Sequence, residues 1–126
     1  MNPAEIADEM HRLSRNIDKG IGELRDQSIA MASAEHDYRK LKAQKWAECP
    51  NDPPSTKTGE REWTAARREA WVDAESAGAR YERDVAEAMR QTALEAVRAR
   101  RTQLSAMQTI ANAHTAEANL ARTGPS

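Results

Sequence analysis

Cys49-Pro-Asn-Asp-Pro-Pro-Ser-Thr-Lys-Thr-Gly59 is the stretch that decides how this sequence folds. Proline removes a backbone donor and clashes with the preceding helical turn, and three prolines sit here beside Asn51, Asp52 and Gly59, so no helix runs through it. Outside it, proline occurs only at Pro3 and Pro125. The flanking segments, about 45 and 60 residues long, carry no other strong helix stop, and no strand-like alternation or Asn-Gly hairpin signal appears. The expected fold is all-α: an elongated, coiled-coil-like antiparallel two-helix hairpin. Arm one covers 3–47, a loop 48–59, arm two 60–121 and a short tail 122–126.

Composition agrees. The chain has 126 residues, one domain's worth, with 39% hydrophobic and 31% charged residues and a net charge of −1. It has no Phe, three Trp and two Tyr, so alanine supplies much of the apolar content, a profile of long helices packed side by side. No apolar run approaches the roughly 20 residues of a membrane span, and the N-terminus lacks the pattern of a secretory signal. Cys49 is the single cysteine, which excludes an internal disulfide and most zinc sites. A reducing cytoplasm is expected, with no metal, cofactor or small-molecule substrate.

The first arm opens with Asn2 as N-cap and Pro3 at the first helical position. Its apolar positions recur by sevens, as Met10, Ile17, Leu24, Met31 and Tyr38, interleaved with Ile6, Leu13, Gly20, Gln27, Ala34 and Leu41. Gly20 and Gln27 weaken this seam in the middle, and a strict seam wants a partner helix. The second arm carries Trp63, Ala66, Ala70, Ala74, Ala77, Tyr81, Val85, Ala88 and Thr92, then Val97, Leu104, Met107, Ala111 and Ala118. Gly78 interrupts it at a cost near ~1 kcal/mol relative to alanine.

Pairing residues by equal distance from the loop sets Trp46 opposite Trp63, Tyr38 opposite Trp71, Met31 over Gly78 and Leu24 over Val85. In that register the second arm outruns the first by roughly 15 residues. Leu104, Met107, Ile110, Ala111 and Leu120 then form an apolar overhang, which predicts a homo-oligomer. Trp63, Arg67 and Trp71, four apart, form either a cation–π staple or a partner's hot spot.

Catalysis finds no support. His11, His36 and His114 are far apart, and Cys49 has no histidine beside it in sequence to activate it as a nucleophile. It reads as a free loop thiol, and the chain is expected not to be an enzyme. Charge is unevenly spread: residues 1–97 hold 15 basic and 19 acidic groups, residues 98–126 four basic and one acidic. Arg98, Arg100 and Arg101, with Arg90 two turns earlier, precede a polar, uncharged face that suits a phosphate backbone. Lys42 and Lys45, near Trp46, form a second candidate group, since bases of single strands stack on aromatic rings. The competing reading has the arginines facing water or pairing with Glu5, Asp8 and Glu9, and the tryptophans forming the core of the hairpin's tip.

The stretch Ala93-Leu-Glu-Ala-Val-Arg-Ala-Arg-Arg-Thr-Gln-Leu-Ser-Ala-Met-Gln-Thr-Ile-Ala-Asn-Ala-His114 and the closing Ala121-Arg-Thr-Gly-Pro125 resemble small all-helical proteins of actinobacterial tailed phages, often encoded beside recombination and replication functions. So do Tyr38-Arg-Lys-Leu-Lys-Ala43, Glu60-Arg-Glu62 and Trp71-Val-Asp-Ala-Glu75. The resemblance covers most of residues 35–125. It implies a phage origin, a host-cytoplasmic location and an accessory role on DNA like that of recombination mediators. Helical-hairpin secretion substrates with a Trp-x-Gly turn fit poorly, because Trp46 is followed by Ala-Glu. Two functions are thus expected: a single-stranded-DNA-binding recombination or annealing accessory, with DNA or a recombinase as partner, or a coiled-coil protein-interaction module. The second would be an adaptor, a host-factor modulator or a small virion component.

Overall fold

The computed structural model of the chain describes residues 1–50 and 64–123, and among these every element is a helix. In order they are α1 (Pro3–Glu48), α2 (Ala65–Glu75) and α3 (Ala77–Arg122). Trp63, the expected start of arm two at residue 60, most of the loop and the end of the tail lie outside the described residues.

The helix starts follow local chemistry. At the head of α1 the Asn2 Oδ1 accepts the Glu5 backbone N–H at 2.8 Å, and the Asn2 amide donates to Glu5 Oε1 at 2.9 Å. Two otherwise unmet polar groups are satisfied reciprocally, as in a capping box. One turn on, Arg12 donates to Glu9 and holds its carboxyl below the usual range. Thr64 caps α2, its hydroxyl accepting the Arg67 N–H at 3.2 Å.

The expected single second arm is corrected: it is two helices, and the break falls at Ser76 rather than Gly78. Ser76 is buried with φ −105° and ψ 7°, and its hydroxyl donates to the Val72 carbonyl at 2.7 Å. Its own N–H also reaches that carbonyl, at 3.0 Å, and its carbonyl accepts the Arg80 N–H. A serine hydroxyl competing for the i−4 carbonyl loosens the ladder there. Gly78 sits exposed inside α3 with open space around it.

The chain divides into two compact units, Met1–Asp26 with Arg90–Ser126, and Gln27–Met89. In the first, Ile6, Leu13, Ile17, Ala93 and Val97 are buried; in the second, Tyr38, Cys49 and Val72 are. Cys49 is a free thiol just past the end of α1, as expected, and it is buried. Each unit pairs α1 antiparallel with the returning chain. The seam predicted for α1 is the one used: all eleven positions of its two heptad series are buried or half-buried.

The expected register is corrected. In the second unit Glu35 and Tyr38 meet Arg83, and Lys45 meets Glu75. In the first, Asn16 meets Arg100, and Gly20 meets Val97. Tyr38 therefore lies about three turns from its expected partner Trp71. The shift removes the overhang, since Pro3 and Ile6 line one groove together with His114 and Arg122. Residues 104–120 run alongside the start of α1, and Leu104, Met107 and Ala111 are half-buried there. The facing of the returning chain differs as well. Residues 72, 76, 79, 83, 86, 90, 93, 97, 100, 104, 107, 111 and 114, in alternating steps of four and three, are all buried or half-buried. From Val97 on, this row contains the expected positions Val97, Leu104, Met107 and Ala111; before it, Val72, Ser76, Ala79, Arg83 and Ala86 turn inward in place of Ala74, Ala77, Tyr81 and Val85.

At position 20 the packing leaves no room for a side chain: a Cβ there would lie 2.9 Å from Arg100 Nη1 and 3.0 Å from Val97 Cγ2. Gly22 has nothing within 4 Å of the same construction. We predict that Gly20→Leu lowers stability by about 1–3 kcal/mol through overpacking, whereas Gly22→Ala raises it by about 0.5–1 kcal/mol. Urea unfolding followed by circular dichroism measures both.

Candidate interaction face

The first part of the row expected to meet α1, from Ala66 to Thr92, faces solvent instead, while its continuation through Val97, Leu104, Met107 and Ala111 turns inward as expected. Ala66, Ala70, Ala74, Ala77, Tyr81, Val85, Ala88 and Thr92 are all exposed, Tyr81 at 67% and Val85 at 37%. Met89, at 50%, extends this face one turn past Val85. The returning chain thus has apolar residues at helical spacing on two sides, and only one of them is spent on α1.

Beside Val85 and Met89 a groove of about 580 Å³ opens between the helices of the second unit. From α1 it is lined by Gln27, Ala30, Ser33, Ala34 and Asp37, and from α3 by Ala79, Glu82, Val85, Ala86 and Met89. Its floor is small because alanine and serine occupy the flank of the seam on both helices. A second groove, of about 450 Å³, lies in the first unit and includes His114.

Electrostatics below the exposed face are closed off. Arg83 stands with its guanidinium 4.5 Å from the Tyr38 ring centre, 3.5 Å from Glu35 and 3.0 Å from Asp84. The Asp84 hydrogen bond, with help from Glu35, raises its already high pKa further. Glu35 also accepts from Arg39 at 2.8 Å. Asp37 and Glu82, on the groove's rim, have no partner among the described residues.

The sequence-predicted cations are dispersed. Arg100 is half-buried and donates to the Asn16 carbonyl at 3.2 Å. Arg90 is half-buried and engaged. Lys42 lies 5.8 Å from the Tyr38 ring centre, and Lys45 pairs with Glu48 and Glu75. Arg98 and Arg101 stay exposed. Of the predicted partner residues, Ile110 and Leu120 are exposed, while Arg67 and Trp71 are half-buried on α2. Trp63, the third member of that cluster, lies outside the described residues.

His11 and His114 belong to one unit and His36 to the other, and among the described residues no three His, Cys, Asp or Glu side chains gather as a metal site. No helix among them is long and apolar enough to cross a membrane. No family model, curated protein or solved structure matches the chain.

The two sides of α3 should respond differently to truncation. Arg83→Met keeps the stem but removes the contacts to Tyr38, Glu35 and Asp84, and is expected to lower the urea midpoint measurably. Tyr81→Ala is expected to stay within about 0.5 kcal/mol of the parent. Acid titration offers a separate check. Glu9 has a depressed pKa in the folded chain, so its small contribution is present above the unfolded value and lost as pH falls through the folded one. By NMR its carboxyl should titrate below an ordinary glutamate and move up in Arg12→Gln.

Proposed function

We propose that this chain is a non-catalytic interaction module that works by taking a further helix onto α3. One observation carries the reading. The returning chain presents apolar residues on two sides, and the side through Tyr81, Val85 and Met89 is solvent-exposed over more than two turns. A helix apolar on two sides packs on two neighbours, and a contiguous exposed apolar patch marks an interaction site. In the setting that the sequence resemblance implies, an infected host cell, such a module would join other proteins as an adaptor.

The nucleic-acid reading has less to stand on. Four of its six cations are engaged within the fold, which leaves Arg98 and Arg101 to meet a phosphate backbone. Two contacts give a shallow salt dependence, with log affinity falling by about 1.4 per decade of salt on a single strand.

A photo-crosslinking residue in place of Tyr81, introduced into the full chain in its native cell, tests the module. Covalent adducts are expected from position 81 and none from Lys19, an exposed residue on another helix. Adducts from neither position, together with steep salt-dependent binding of labelled single-stranded DNA, would reverse the order of the two readings.

A further inference from the structure

Resting on that reading, we infer that the groove of the second unit accepts an amphipathic α-helix with an aliphatic stripe and a lysine or arginine at one end. Three features of the groove specify this occupant.

The first is size. Ala30, Ala34, Ala79 and Ala86 leave a floor of methyl groups, and Val85 and Met89 form a raised apolar wall. Alanine floors take large knobs, so leucine, isoleucine or methionine fits where another alanine would leave a void. The second is length. From Gln27 to Asp37 the α1 wall spans about 15 Å, which matches helix-in-groove recognition through anchors at i, i+4 and i+7.

The third is charge, and it decides the partner's sign. Asp37 and Glu82 line the same groove from opposite walls, level with each other in the register that pairs Glu35 with Arg83. Neither has a cation partner among the described residues. Of the cations nearby, Arg83 is drawn to Glu35 and Asp84 and Arg39 to Glu35, while Lys40 and Arg80 are exposed and make no ion pair with Asp37 or Glu82. An incoming helix that brings a cation to this end relieves the like-charge pair, whereas an acidic one adds to it.

The probe is a synthetic helical peptide with leucines at i, i+4 and i+7 and lysines at one end. Its sister has glutamates in place of the lysines. Fluorescence anisotropy with the full-length chain is expected to show binding of the lysine peptide, weakening as salt rises, and at least tenfold poorer binding of the glutamate peptide. Asp37→Asn with Glu82→Gln should weaken the lysine peptide about tenfold without altering helicity. Met89→Glu should abolish binding, and Ile110→Glu, in the other unit, should leave it unchanged. Equal binding of the two peptides, or indifference to the Asp37 and Glu82 changes, overturns the inference.

The crosslinking experiment keeps this failure apart from failure of the module itself. Adducts from position 81 at twice the mass of the chain would show that a second copy covers the face. That outcome sinks the basic helix and leaves the interaction module standing.

Discussion

Everything in the first unit turns on how closely two helices approach at Gly20. Because that residue has no side chain, Arg100 lies across it and donates to the Asn16 carbonyl, while Val97 packs into the same space. The contact fixes which row of α3 faces α1 there. With Val97 inward, the seam's four-and-three spacing carries Leu104, Met107 and Ala111 inward too, on the half of α3 expected to overhang. An arginine in a helix interface is tolerated because its aliphatic stem covers apolar surface while its head finds an acceptor. Arg83 solves the same problem in the second unit with Tyr38, Glu35 and Asp84.

That solution explains how much of the fold is legible in the residues alone. The α1 seam is legible in full, since Ile6, Leu13, Ile17, Leu24, Met31 and Tyr38 keep its heptad spacing on both sides of Gly20 and Gln27. The N-cap at Asn2 is legible too, because its chemistry is local. The seam of the returning chain is legible at Val97, Leu104, Met107 and Ala111 and not elsewhere, because elsewhere it passes through Ser76, Arg83, Arg90 and Arg100. Polarity at those four positions hides the row from any reading that follows apolar side chains, and the eye goes to Ala74, Ala77, Tyr81 and Val85 instead. The overhang has a different origin: it follows from pairing residues at equal distance from the loop, a register from which the pairs Glu35–Arg83 and Lys45–Glu75 depart. The signal that corrects the choice of row is the arginine spacing itself: Arg83, Arg90 and Arg100 fall on the same four-and-three ladder as Val72, Ala93 and Val97.

The candidate face is legible in its membership and not in its direction. Apolarity singles out Tyr81 and Val85, and the fold puts them outside. A row that satisfies the spacing of a helix seam and then goes unused by the chain's own partner is a stronger pointer to an external helix than scattered exposed leucines, which any surface carries. Ile110 and Leu120 are of the scattered kind.

Charge follows from the same inward turn. In the second unit Glu35 takes two cations, Arg39 and Arg83, and Lys45 meets Glu48 and Glu75. Compensation is thereby concentrated under the helices and withdrawn from the groove's rim. Asp37 follows Glu35 by two residues and so points to a different side of α1, out of reach of the cations that its neighbour holds. Glu82 stands in the same relation to Arg83, one residue away and about a quarter-turn round the helix. The packing that seals the interior therefore also holds Arg83 and Arg39 on Glu35 and away from Asp37 and Glu82 on the groove's rim.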